Sequence, residues 1–134
     1  MTVVDASIIV RLLQNRRGDE ALQERLGRQR HLHAPALIDA EVASAVRGLM
    51  LTAKSGIRIG IERADDMLAD YEQLPIVRHP MQPLQRRVLG WRDNLTAYDA
   101  FYLALAELLD MPLLTDDRKF ARAPIQAAAV ETWR

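Results

Sequence analysis

Short apolar runs alternate with longer stretches of helical periodicity along this chain, and that alternation restricts the fold more than any other feature. Thr2, Val3 and Val4 form a β-branched run that ends at Asp5. The apolar residues over 8–13 follow too closely spaced for a second alternating strand, which predicts a buried strand followed at once by a helix. The polar segment 19–29, with Leu22 and Leu26 four apart, predicts a surface helix, and 31–34 a brief second strand closed by Pro35. Over 36–53, Leu37, Ile38, Val42, Ala45, Val46 and Leu49 repeat at three and four, and Lys54, Ser55 and Gly56 supply a stop. An amphipathic helix over 61–73, with Ile61, Ala64, Leu68 and Tyr71 inward, leads to a short strand at Ile76 and Val77 between Pro75 and Pro80. Residues 83–92 read as a polar-basic helix and 96–110 as a strong one. The last strands are expected at 111–114 and 126–130, with a turn and short helix at TDDRKF between them. Strand and helix alternating in this way predict an α/β fold, because parallel neighbours need crossover connections. The expected architecture is a mainly parallel central sheet of four to five short strands between two helical layers.

With 134 residues and no change of composition along the chain, one domain spanning 1–134 is expected. Apolar residues make up 49% and charged residues 27%, the balance of a globular rather than a disordered chain. The lack of cysteine excludes disulfides and thiolate zinc sites, and suits a reducing compartment, so the cytoplasm is the expected address. Asp5 and Arg11 fall inside what would have to be the apolar part of a signal peptide. No apolar run approaches the roughly 18 residues needed to cross a bilayer, so no membrane association is expected. Eighteen basic and eighteen acidic side chains cancel, so any contact with nucleic acid has to come from local patches.

Most of the acids, including Asp19, Glu24, Asp65, Asp66 and Asp70, fall on polar helix faces and read as solvated charge. Four others fall where the pattern predicts burial, and an unpaired carboxylate there costs several kcal/mol or gives up its charge. Asp5 ends an apolar strand at its carboxyl end, where open α/β sheets place ligands, but it equally fits a helix N-cap. Glu41 shares a helix face with Leu37, Ile38 and Ala45, as a metal ligand or as half of a buried ion pair with an arginine. Asp99 is in register with Leu95, Tyr102 and Ala106, and Thr96 with Asp99 also has the spacing of a capping box. Asp117, with Asp116 beside it, follows the strand PLLT as Asp5 follows VV, with N-capping again the alternative for one of the pair. If the four converge, each pair about 4 Å apart repels by about 4 kcal/mol at an effective dielectric near 20. A hard divalent cation resolves that repulsion; Mg2+, or Mn2+ in its place, prefers carboxylate oxygen and water. Such a site can activate water against a phosphodiester without a nucleophilic side chain. No Walker loop, GxGxxG, GxSxG elbow or cysteine nucleophile competes with it.

VVDAS near the N-terminus, the Glu41 helix after Pro35, LTAYDAFYLALAE around Asp99 and PLLTDDRKF around Asp117 together resemble the PIN domain family, and within it the VapC-type toxins of toxin–antitoxin pairs. The likeness spans essentially the whole chain. It implies a PIN-like α/β/α fold, with Asp5, Glu41, Asp99 and Asp117 as a catalytic, metal-binding quartet. Ser7 and Thr115 would be its supporting residues and Asp116 an auxiliary ligand. It also implies a metal-dependent endoribonuclease acting on structured RNA, a homodimer, and inhibition by a VapB-type antitoxin. The alternatives are a catalytically weak PIN-like module that binds RNA or a protein partner, and a DNA nuclease of the same acidic chemistry.

Weaker signals have plainer explanations beside them. Arg86, Arg87 and Arg92, interleaved with Trp91, form a candidate RNA-binding and stacking surface or simply a solvated helix face with one packed aromatic. Arg28 with Arg30 and Arg118 with Lys119 are further candidates for phosphate contact. His31 and His33, two apart, fit either a metal pair on one strand face or exposed edge histidines, and His79 has no evident partner.

Overall fold

The computed structural model describes residues 1–122 and 129–133. Among these residues five strands form one sheet in the order β3-β2-β1-β4-β5, namely β1 (Thr2–Val4), β2 (Leu32–Pro35), β3 (Ile76–His79), β4 (Leu113–Thr115) and β5 (Val130–Thr132). Every neighbouring pair is parallel: Val3 pairs with His33 on one side and with Leu113 on the other. The three inner strands are short and largely buried, as fits a sheet covered by helices, while the edge strands β3 and β5 are more exposed. From β1 the chain builds outward to β2 and β3, then returns to place β4 on the other flank of β1. The direction of winding therefore reverses between β1 and β4, and the crevice beyond their carboxyl ends is where such sheets bind ligands.

Among the described residues six α-helices flank the sheet: α1 (Ala6–Gln14), α2 (Glu20–Gly27), α3 (Ile38–Leu51), α4 (Ile61–Glu72), α5 (Gln85–Leu89) and α6 (Ala97–Leu109). Helices α1, α3 and α4 pack on one another, while α6 lies against β1, β2 and β4 and carries α5 with it. Local chemistry sets several boundaries. Asp5 caps α1 by accepting the Ile8 amide at 3.1 Å, and Thr96 caps α6 by accepting the Asp99 amide at 3.3 Å. Helices α1 and α6 end on left-handed Asn15 and Asp110, polar residues that tolerate positive φ.

The expected α/β architecture is the one observed, with differences in detail. The 83–92 segment forms a 3-10 turn at Gln82–Leu84 and the single short helix α5, because Pro83 fits a first turn and Gly90 follows the last. In α4 the inward face is Ala64, Met67 and Tyr71; Ile61 is 61% exposed, so the apolar stripe begins one turn later than expected. Strand β3 runs on to His79, two residues past Val77, in register with β2 up to Pro35. The last strand is displaced to Val130–Thr132, and 126–128 of the expected run lies outside the described residues.

Helix α6 contributes an unbroken run to the core, with Tyr102, Leu103, Ala104, Leu105 and Ala106 all buried. Replacing fully buried Leu103 by alanine should cost about 3 kcal/mol through lost transfer energy and a residual cavity. Leu108→Ala, five residues on and 66% exposed, should stay within about 0.5 kcal/mol of the parent. Urea unfolding of the two variants checks the orientation of α6, and equal losses would contradict it.

Candidate metal-binding active site

The junction between β1 and β4 is closed by side chains rather than by backbone alone. Asp5 is buried, and its Oδ1 accepts hydrogen bonds from Ser7 Oγ at 2.7 Å and the Ile8 amide at 3.1 Å. Its Oδ2 accepts from the hydroxyl of fully buried Thr115. That hydroxyl in turn accepts the Asp117 amide at 2.9 Å, and Ser7 Oγ accepts the Asp116 amide at 3.1 Å. Ser7 and Thr115 thus pin the exit of β4 to the exit of β1. Of the two roles open to Asp5 the N-cap is realised, and the oxygen that caps α1 belongs to the carboxylate that Ser7 and Thr115 also hold.

Burial pushes the Asp5 carboxyl up to about 6; its hydrogen bonds pull the other way, and the negative charge of Asp117 adds to the rise. Half-buried Glu41 is likewise raised, first by burial and then by the charge of Asp99, while the Tyr102 hydroxyl, which donates to Oε1, and the charge of Lys119 oppose it. Tyr102 itself is pushed well above the ordinary phenol range by burial and by the Glu41 and Asp5 carboxylates. Asp5 feels the charge of Asp117, Glu41 that of Asp99, and Tyr102 those of both Asp5 and Glu41, so the expected acids are linked in pairs on either side of Tyr102. Asp117 accepts the Lys119 amide at 2.9 Å and lies 3.4 Å from its Nζ.

Among the described residues, no three acidic or histidine side chains converge into a ready-made metal cage. The donor set nevertheless fits a hard cation. Asp5 is held by neutral donors alone, and no arginine or lysine forms an ion pair with Asp5, Glu41 or Asp99 among the described residues. Mg2+ is commonly held by one or two carboxylates with several retained waters, an arrangement that needs no closed cage.

Other acids and arginines behave differently from expectation. Asp19 is not solvated but buried, gripped by Arg11 through Nε at 3.2 and 3.1 Å and Nη2 at 2.9 Å. The same guanidinium donates from Nη1 to Asp116 at 2.8 Å, which turns the expected auxiliary ligand toward α1. Arg87 is committed to Glu107 at 2.6 Å and lies 4.1 Å from the centroid of Trp91. Trp91 is only 2% exposed, so it offers no face for base stacking, and the segment fits the plainer reading of an exposed basic helix face with one packed aromatic. Arg86 remains exposed, and Arg92 donates to the Leu89 carbonyl. His33 pairs not with His31 but with His79, Nδ1 to Nε2 at 2.9 Å across β2 and β3. Burial and the neighbouring His79 hold its pKa below the usual histidine range. Beside Ser7 and Glu41 opens a groove of about 480 Å³ lined also by Arg11, Gln14, Arg16 and Ser44.

Comparison with known proteins follows the same lines. A family profile described as PIN domain matches residues 2–126. Ribonuclease VapC3 of Mycobacterium tuberculosis is 40% identical over 130 residues, covering 96% of this chain and 90% of that protein. Ribonuclease VapC9 of the same organism is 38% identical over 121 residues, covering 90% and 89%. The fold matches VapBC2 from Rickettsia felis, solved bound to a DNA fragment from its promoter, with a TM-score of 0.67, 15% identity, and coverage of 99% and 98%.

The raised Asp5 pKa fixes a sign for stability. The folded state holds the Asp5 proton more tightly than the unfolded chain, so this contribution is complete below its ordinary 3.8 and is lost as pH rises through about 6. In chelator, the parent should therefore lose up to about 3 kcal/mol relative to Asp5→Asn between about pH 4 and about pH 7. Urea unfolding across that range measures it; a difference independent of pH would contradict the buried, cation-free carboxyl.

Proposed function

The chain belongs to the PIN domain family, in its VapC ribonuclease branch, and from that premise we propose that it is a Mg2+-dependent endoribonuclease, the toxin of a toxin–antitoxin pair. The observation that carries this reading is a buried aspartate with neutral partners only, beside a second aspartate at the point where the sheet reverses direction. Arginine neutralises the other acid of low solvent exposure, Asp19. An acidic cluster kept without such a partner is a site for something cationic.

Asp5, Glu41, Asp99 and Asp117 would hold Mg2+, with Mn2+ able to substitute. When bound, the ion supplies Lewis-acid polarisation of the scissile phosphate and water acidified enough to attack it. The residues do the rest. Ser7, Thr115 and the Ile8 amide fix the Asp5 carboxylate in one orientation, so little reorganisation accompanies reaction. Thr115, shared between Asp5 and the Asp117 amide, sets the spacing of those two acids. Lys119 offsets part of the negative charge, pairing with Asp117 and acting on Glu41. Arg16, Gln14 and Ser44 give the adjoining groove donors for the backbone of the RNA strand.

We read the chain as one PIN-like domain that forms a homodimer in the cytoplasm and is restrained by a VapB-type antitoxin. Among the described residues no helix is long and apolar enough to cross a membrane.

Purified protein should cleave RNA with Mg2+ and stop in chelator. Asp5→Asn and Asp99→Asn should each lower the rate by about 100-fold or more, beyond the 10- to 100-fold cost usual for an outer-sphere partner, while keeping the parent circular dichroism. Cleavage at the parent rate by either variant, with contaminating nuclease excluded, would overturn the assignment. Growth arrest on expression, relieved by the neighbouring small open reading frame, tests the toxin reading separately.

A further inference from the structure

Two tyrosines on different helices donate their hydroxyls to carboxylates, and the difference between them is informative. Tyr71 on α4 donates to Asp39 Oδ1 at 2.7 Å. Asp39 is already clamped by Arg78, whose Nε lies 3.0 and 2.9 Å from its two oxygens and whose Nη2 lies 2.9 Å from Oδ1. That cluster is electrically complete, and its tyrosine adds one bond to a neutralised pair. Tyr102 on α6 donates to Glu41 Oε1, and among the described residues no ion pair reaches that glutamate. Tyr102 is 2% exposed, with its ring packed in the core and its hydroxyl at the edge of the acidic crevice. Asp99 lies three residues earlier on the same helix, so α6 presents a carboxylate and a hydroxyl on one face toward Glu41.

A glutamate side chain has several rotatable bonds, and a half-buried one held at neither oxygen samples orientations that a metal site would have to freeze. The hydrogen bond from a rigid, buried phenol fixes Oε1 and leaves Oε2 directed away from it. We propose that Tyr102 is a positioning residue that orients Glu41 as a ligand for the divalent cation. The inference rests on the metal-dependent reading of the four acids given above.

Mn2+ binding by the full chain, followed by calorimetry without RNA, tests it. Tyr102→Phe keeps the ring and removes only the hydroxyl. It should weaken Mn2+ binding about 10-fold or more, the range found for partners that orient metal ligands. Tyr71→Phe should leave binding unchanged. In the Glu41→Gln background, Tyr102→Phe should cause no further loss, as required if the hydroxyl acts through that carboxylate. Binding by Tyr102→Phe within about twofold of the parent, with Glu41→Gln clearly weakened, would overturn the positioning role and leave the metal site standing. Parent protein that binds no Mn2+, or Glu41→Gln that binds as tightly as the parent, would instead remove Glu41 as a ligand and Tyr102 with it. Should Tyr102→Phe not fold, the 19F spectrum of parent protein labelled with 3-fluorotyrosine gives the same decision. The chain has three tyrosines, assignable with Tyr71→Phe and Tyr98→Phe. Mg2+ should shift the Tyr102 resonance and not that of Tyr71; a Tyr102 resonance that Mg2+ does not move would overturn the proposal.

Discussion

A hydroxyl-to-carboxylate hydrogen bond joins the ends of the two central strands: Thr115 donates to Asp5 and accepts the amide of Asp117. Parallel strands contribute backbone hydrogen bonds along their length but nothing beyond their last residues, and here β1 and β4 are only three residues each. The loops that follow them would otherwise be free to diverge. Ser7 and Thr115 tie them together through atoms that also fix the orientation of Asp5, so the packing of the sheet and the geometry of the acidic crevice are set by the same bonds.

The cost of that arrangement is electrostatic. A carboxylate in this position loses hydration and recovers only part of it from neutral donors, which is why its proton affinity rises. Asp19 shows the other solution available to the same fold: it is also shielded from solvent, though less deeply, and a guanidinium bonded to both oxygens drives its pKa down rather than up. Arg11 lies between the two regimes. It neutralises Asp19 and takes Asp116 with it, and so removes one carboxylate from the repulsion in the crevice. The protein therefore has arginines close at hand, and Asp5, Glu41 and Asp99 form no ion pair with them among the described residues.

Much of this was legible in the residues because the signals were redundant. Periodicity marked α3 and α6, the alternation of elements fixed the parallel sheet, and Asp5 and Asp117 announced themselves as acids ending apolar strands. Asp19 was misread because its partner Arg11 is eight positions away, across a left-handed turn at Asn15, a contact that composition and periodicity do not encode. The Arg87–Trp91–Glu107 arrangement stayed open between two readings for the same reason: a basic run looks alike whether its charges face solvent or a neighbouring helix. His79 found its partner only once β2 and β3 were placed side by side. Tyr102 could have been found, since a tyrosine on the buried stripe of a helix needs something to accept its hydroxyl proton, and Glu41 was the acid without a partner.

The central claim is that the acids at the β1–β4 junction are tolerated because a divalent cation belongs among them. Crystals soaked in Mn2+ and measured at its absorption edge test that claim most directly. An anomalous peak is expected beside Asp5, with at least one of Glu41, Asp99 and Asp117 among its neighbours, at about 2.0 to 2.3 Å from carboxylate oxygens. A well-loaded crystal with no peak in that crevice, or with its density only at peripheral acids such as Asp65 or Asp70, would contradict the account.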